Sequence, residues 1–281
     1  MCLFRRVLDA ALFRMLFHWK QHQCCERPVC TSFGAGNCAP MNVSRLSPTQ
    51  LQELTHFSSC VIASAIEAFK VRLRNRGFTD STIHCVFPDL PPVTGYAATA
   101  QIRTSDPAME GRGYYVHTDW WDYLLSIPAP RVIVLQDMDN PPGLGALVGE
   151  VQANIMAAMD SVAVVTNGAV RDLYGIPPGF QLFAHNLSVS HAYAHIFKFG
   201  EAVEIGGMQV CSGDLLHGDR HGLQTVPLEI ANRIPDQARR ILERRRKVID
   251  LCRSDEFSLP KLLETAKTAD HEDQPADMGR R

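Results

Sequence analysis

Neither sign of charge dominates this chain: 28 lysines and arginines face 30 aspartates and glutamates, for a formal net charge of −2. That balance leaves no basic stripe to follow a nucleic-acid backbone. No apolar run approaches the roughly 18 residues that a membrane span needs, and no segment repeats at a fixed period. Metal and cofactor motifs are thin as well. His191 and His195 in HAYAH stand at i,i+4, a spacing that can ligate zinc on a helix, but the glutamate of H-E-x-x-H is missing. The Gly143 and Gly145 pair in GLG lacks the rest of a dinucleotide fingerprint. These absences leave a globular chain, 46% apolar, suited to small-molecule chemistry, with no nucleic-acid or membrane partner expected.

Cysteine is unevenly spread. Cys2, Cys24, Cys25, Cys30 and Cys38 crowd the start, while Cys60, Cys85, Cys211 and Cys252 are scattered, so the body reads as reduced and cytoplasmic. The early segment LFRRVLDAALFRMLFHWK is apolar and basic, but Arg14 interrupts any signal-type core and no small-residue cleavage site follows. Residues 1–40 are read as an extension outside the fold, with Met41 a candidate natural start. One α/β domain is expected over 41–252, followed by a partly disordered tail over 253–281.

Local patterns fill in the domain. S-P-T-Q at Ser47 offers an N-cap, a proline at the first helical position and a capping glutamine, so a helix is expected from there to about Arg74. VTGYAATAQIR, RVIVLQD, SVAVVT, FQLFAH, AVEIGG and GLQTVP read as strands. VGEVQANIMAAM reads as a helix opened by Gly149, and PLEIANRIPDQARRILERRRKVIDLC as one long helix with a charged outer face.

NGAVRDLYG, directly after SVAVVT, sets Arg171 beside Asp172 in what reads as a short loop at the carboxyl end of a buried strand, where open α/β sheets place ligands. Upstream, RVIVLQD leads through a glycine-bearing loop to the helix at Gly149, whose amides at Glu150, Val151 and Gln152 suit an anion. If the two loops face each other, Arg171 offers a planar fork for a carboxylate and Asp172 an oxygen for a hard cation; taken alone, the R-D dipeptide reads as a structural pair in a surface turn. Asp137 and Asp139 end a strand at the same edge and are candidates for supporting roles. Trp120, Trp121 and Tyr123 read as core or interface, and His217 and His221 around Asp219 as structural partners in a glycine-rich turn.

The order G-E at 149–150, G-A-V-R-D at 168–172, V-E-I-G-G, G-D-L-L-H-G-D-R-H-G and V-P before the last helix resembles the RraA-like family. That family includes the class II 4-hydroxy-4-methyl-2-oxoglutarate aldolases and the regulator of ribonuclease E activity. The resemblance spans Leu46 to Ile230 and is most specific from Gly149 to Pro227. It implies a three-layer β/β/α swivelling domain with N-terminal and C-terminal helices, assembled as a homotrimer or homohexamer with sites between subunits. It also implies a lyase acting on a small 2-oxo acid with Mg2+ or Mn2+. Arg171 then holds the oxo-acid end, Asp172 the metal, and Glu150 works with a water in proton transfer. The backbone at Gly149, Val151 and Gln152 meets the substrate carboxylate. A non-catalytic oligomeric regulator is the other function in the family. The chain departs from the common pattern at Asn167, where many members carry aspartate, and at Asp219 to Gly222. The acidic residue that the aldolases borrow from a neighbouring subunit has no assigned counterpart.

Overall fold

A polar cap starts the ordered body. Ser47 Oγ accepts from the Gln50 amide at 3.3 Å and the Gln50 side chain accepts from the Ser47 amide at 2.8 Å, which closes the expected capping box. In this computed structural model, which describes residues 45–109 and 119–272, α1 then spans Pro48–Leu54 and α2 spans Ser59–Phe69. The single helix expected to Arg74 is therefore two. The break between them lets Leu51, Leu54, Val61 and Ile62 bury into one core. Residues 1–40, with their cysteines, lie outside the described residues. Among the cysteines of the body, Cys60, Cys85 and Cys252 are free thiols, whereas Cys211 is disulfide-bonded and departs from the fully reduced reading.

Then follow β1 (His84–Cys85), β2 (Val93–Arg103), α3 (Asp119–Ser126), β3 (Arg131–Asp137), α4 (Glu150–Ala158), β4 (Ser161–Val170) and β5 (Gln181–Leu187). β6 (His195–Phe199), β7 (Val203–Ile205), β8 (Met208–Val210), β9 (Leu215–Asp219) and β10 (Gly222–Val226) complete the strands. The main sheet runs β1-β5-β4-β3-β2-β9-β10, with β6 also paired to β2. β2, β3, β4 and β5 are mutually parallel, so their carboxyl ends share one edge.

Strand alternation divides the apolar residues between two cores. Ile133 and Leu135 of β3 face the helices, whereas Val132 and Val134 face Val203, Ile205, Met208 and Val210 of the β7–β8 hairpin. The layers are thus hairpin, sheet and helices, the β/β/α order. Each fully buried isoleucine or leucine contributes roughly 1.5–3 kcal/mol, which explains why both faces of β3 must be apolar.

The C-terminal helix is also divided. α5 (Leu228–Ala231) stops at Asn232, and α6 (Ile234–Arg253) restarts with Pro235 in its first turn. α6 buries Ile234, Ala238 and Ile241 against the sheet-facing core beside α2. Beyond α6, α7 spans Leu259–Glu272 and packs on α6. Among the described residues, no helix is long and apolar enough to cross a membrane.

Buried polar residues tie α2 to the sheet. Asp219 Oδ2 accepts from the Ser59 amide at 2.8 Å, a carboxylate at the positive end of α2. Asp219 Oδ1 also accepts from the His221 amide at 2.8 Å and lies 3.0 Å from its Nδ1. His217, on β9 rather than in a turn, has Nε2 3.1 Å from the Phe57 carbonyl and Nδ1 3.2 Å from Ser59 Oγ. A carbonyl only accepts, so Nε2 carries the proton and Ser59 Oγ donates to Nδ1. These residues are structural partners, as expected.

Burial lowers the His217 pKa from 6.5 to about 4. Between those values the unfolded chain binds a proton that the native ring refuses, so stability falls as pH drops through this window, by on the order of 3 kcal/mol from this group. Asp219 acts in the same direction at lower pH: burial works against its charge, but hydrogen bonds from His221 and Ser59 hold its pKa below the ordinary value. Urea midpoints measured from pH 7.5 to 4.5 should fall in the wild type and fall less steeply in His217→Gln. A flat wild-type profile would contradict a neutral buried His217.

Candidate active site

β4 does not stop at SVAVVT. After an irregularity between Thr166 and Ala169 it runs on through NGAV, pairing Val170 with Leu187, so the strand is longer than expected and Arg171 and Asp172 form the short link directly after its end. The irregularity is braced from β3: the Asp137 amide donates to Asn167 Oδ1 at 2.7 Å, and Asn167 Nδ2 donates to the Asp137 carbonyl at 3.0 Å. An aspartate at 167 has no donor for that carbonyl, which gives this chain's asparagine a physical reason.

Val148 forms a parallel bridge with Val170, and the Arg171 amide donates to the Val148 carbonyl at 3.0 Å. The next residue, Gly149, is the N-cap of α4. A Cβ on it would stand 3.1 Å from both Arg171 Cγ and Asp172 Oδ2, so the missing side chain lets the helix start lie directly against the charge pair. Arg171 Nη2 and Asp172 Oδ2 are 3.0 Å apart, with side chains 30% and 45% exposed. Asp172 adopts φ 50°, ψ 47°, a left-handed conformation that costs a non-glycine residue about 1 kcal/mol. The two loops do face each other.

A 3-10 turn, Leu173–Gly175, follows. Asn154 of α4 fastens it, since its Nδ2 donates to the Glu150 carbonyl at 2.8 Å and to the Gly175 carbonyl at 3.0 Å. The Glu150 side chain lies over Gly175, where any Cβ would overlap its carboxylate. NGAVRDLYG is therefore strand end, charge pair and a glycine that accommodates Glu150.

Gly149, Glu150, Val151, Gln152, Arg171 and Asp172 line one cleft of about 540 Å³. The positive end of the α4 dipole, together with Arg171, favours an anion here. The cleft has further lining that the sequence reading did not assign to it: Pro107, Ala108, Leu147 and the turn His191–His195. HAYAH is not helical. Ala194 donates to the His191 carbonyl at 2.9 Å, closing a turn, and His195 opens β6. The signal available in the sequence was a group of polar aromatics between two strands.

Asp137 and Asp139 support loops around the cleft. Asp137 accepts from the Gly143 and Asp139 amides at 2.8 and 3.1 Å; burial raises its pKa, only partly offset by these bonds. Asp139 Oδ2 accepts from the Thr104 and Ser105 amides at 2.6 and 2.8 Å, fixing the chain that leads to Pro107. Trp120 is buried and stacks beside Tyr123 and Phe199, so this cluster is core. Among the described residues, no group of three or more histidine, cysteine, aspartate or glutamate side chains could hold a metal ion.

The RraA-like family model, described as Aldolase/RraA, matches residues 62–224. No curated protein matches the sequence significantly. Among solved structures, an uncharacterized protein from Pseudomonas syringae pv. tomato is 20% identical with a TM-score of 0.63, over 83% of this chain and 99% of its own. Streptomyces coelicolor RraAS2, described as an unusual member of the RNase ES inhibitor RraA family, is 22% identical with a TM-score of 0.54, over 69% of this chain and 92% of its own. A protein described among novel cellulases from microbes of the gut ecosystem is 20% identical with a TM-score of 0.60, over 73% and 90% of the two chains. These likenesses show a shared fold.

Gly149→Ala tests the close approach. The added Cβ would stand 3.1 Å from Arg171 Cγ and Asp172 Oδ2 and crowd the pair without touching the apolar core, so stability in urea should shift by less than about 1 kcal/mol. A larger loss would mean that the contact bears on the fold and not on the pair alone.

Proposed function

Because the chain belongs to the RraA-like family of Aldolase/RraA proteins, we propose that its cleft is the active site of a lyase for small 2-oxo acids. The reactions are retro-aldol cleavage of a 4-hydroxy-2-oxo acid to pyruvate and decarboxylation of oxaloacetate, which share a pyruvate enolate. One observation carries this reading: the Arg171–Asp172 pair is seated on the N-terminus of α4 at Gly149, inside one cleft.

Arg171 presents a planar fork to the carboxylate and 2-oxo oxygens, and the first-turn amides of Val151 and Gln152 donate to the same carboxylate. Glu150, exposed and laid over Gly175, holds a water that gives or takes the proton at C3. The donor set suits Mg2+ or Mn2+ rather than zinc: Asp172 offers one half-exposed carboxylate beside the oxo-acid subsite, and such ions accept one or two protein carboxylates with water and substrate oxygens filling the remainder. When bound, the ion supplies Lewis-acid stabilisation of developing enolate charge. The regulator function of the family is the alternative, and it requires no turnover.

Leu144, Leu187, Val189 and Tyr174 are all largely exposed, and Ser188 Oγ, between Leu187 and Val189, donates to the Leu144 carbonyl at 3.0 Å. A neighbouring copy covers these residues in the proposed homotrimer or homohexamer. Light scattering after size exclusion should report a trimer or its multiple, and Val189→Asp should shift it toward monomer. A stable, active wild-type monomer overturns the assembly.

Pyruvate release from 4-hydroxy-2-oxo acids and oxaloacetate, with Mn2+ and with chelator, tests the chemistry. Arg171→Lys loses the fork and should lower kcat/KM about 100-fold or more even with excess metal. Asp172→Asn should mainly raise the metal requirement, with partial rescue at high Mn2+. Wild-type protein without turnover on either substrate supports the regulator instead.

A further inference from the structure

The turn His191–His195 shares the cleft but has no part in the chemistry above. We propose that His195 is the general base of the aldol cleavage, its Nε2 taking the proton of the substrate's C4 hydroxyl. This rests on the lyase reading and adds to it the group at the far end of the substrate.

The position follows from the sheet. Along the shared edge the order is β4, β3, β2, β6, and His195 pairs with Arg103 at the carboxyl end of β2. Three strand spacings separate the backbones of Arg171 and His195, about 14 Å at roughly 4.8 Å each. Both residues line the same cleft of about 540 Å³, and a short oxo acid within it lies beside both side chains. With the C1 carboxylate at Arg171, the C4 hydroxyl comes toward the histidine.

The chemistry follows from the ring's partners. His195 Nδ1 lies 2.8 Å from the Tyr193 carbonyl. That oxygen can only accept, so in the neutral ring Nδ1 carries the hydrogen and Nε2 keeps its lone pair. The side chain is held as well, since the residue is only 9% exposed and begins a paired strand. The turn that delivers it is fixed: the Tyr193 amide donates to the Thr104 carbonyl at 3.1 Å, and Ala192 is held at φ 47°. A non-glycine residue held in the left-handed region within a cleft is the kind of strain that accompanies positioned groups. His191 is exposed, with Nδ1 2.9 Å from the Ala192 carbonyl, and its side chain is less constrained.

The step balances. Nε2 takes the hydroxyl proton, the O–H electron pair becomes the C4 carbonyl, and the C3–C4 bond breaks with its electrons entering the pyruvate enolate. A water held by Glu150 then protonates C3, and the proton released by the imidazolium neutralises the hydroxide left behind. Oxaloacetate has no C4 hydroxyl, and its decarboxylation needs no base at this position.

That difference supplies the test. His195→Asn keeps a donor for the Tyr193 carbonyl and removes the Nε2 base. Pyruvate release from 4-hydroxy-2-oxoglutarate should drop about 100-fold or more in kcat, whereas oxaloacetate decarboxylation should stay within about threefold of wild type. Equal losses on both substrates, or no loss on either, overturn the assignment of the base alone. A wild-type protein inactive on both overturns the lyase reading and this inference with it.

Discussion

Val148 bridges in parallel to Val170, the Arg171 amide donates to the Val148 carbonyl, and at the next residue no side chain separates the first turn of α4 from the Arg171–Asp172 pair. The cleft depends on this approach. A side chain at 149 would stand 3.1 Å from Arg171 Cγ and Asp172 Oδ2, and the pair would have to give by a few tenths of an ångström. The approach depends in turn on β4 continuing past Thr166, because a strand ending there would leave Arg171 short of the helix. A local irregularity braced by Asn167 thus has its consequence at the charge pair just beyond.

Around that contact the bracing is polar. Asp172 and Ala192 both adopt left-handed conformations at the cleft, while Asn154, Asn167, Asp137 and Asp139 bond backbone groups of the surrounding loops. The reason is general: past the end of a sheet, strands no longer satisfy one another's amides and carbonyls, and side chains must do so. The two apolar cores on either face of β3 hold the strand ends at fixed spacing, so each brace has a rigid base. The cleft is therefore positioned by the sheet and shaped by loops.

The same division separates α2 from the rest of the helical layer. Its N-terminus meets a carboxylate and a neutral histidine from β9 instead of a capping side chain of its own. This ties the helix to one register on the sheet, at the expense of stability in acid.

Short-range pattern determined much of this protein. The capping box at Ser47, the strands VTGYAATAQIR and RVIVLQD, and the start of α4 at Gly149 follow from caps and periodicity, which are properties of neighbouring residues. Arg171 and Asp172 stand out only through the wider order of G-E, G-A-V-R-D and the later glycine-rich blocks, because a lone charge pair after a strand reads as a structural turn; the tertiary structure sets them in one cleft with the start of α4. Breaks were not legible: the apolar pattern continues across Thr55–Ser58 and Asn232–Arg233, and only burial against a shared core decides where each helix stops. Nor could spacing reveal that HAYAH is a turn and strand start, since i,i+4 separation is helical only if the chain between is helical. Tertiary structure alone decided that β6 pairs with β2 and brings His195 to the edge where β4 delivers Arg171. A pairing between residues far apart in the chain leaves no mark in the local sequence of either.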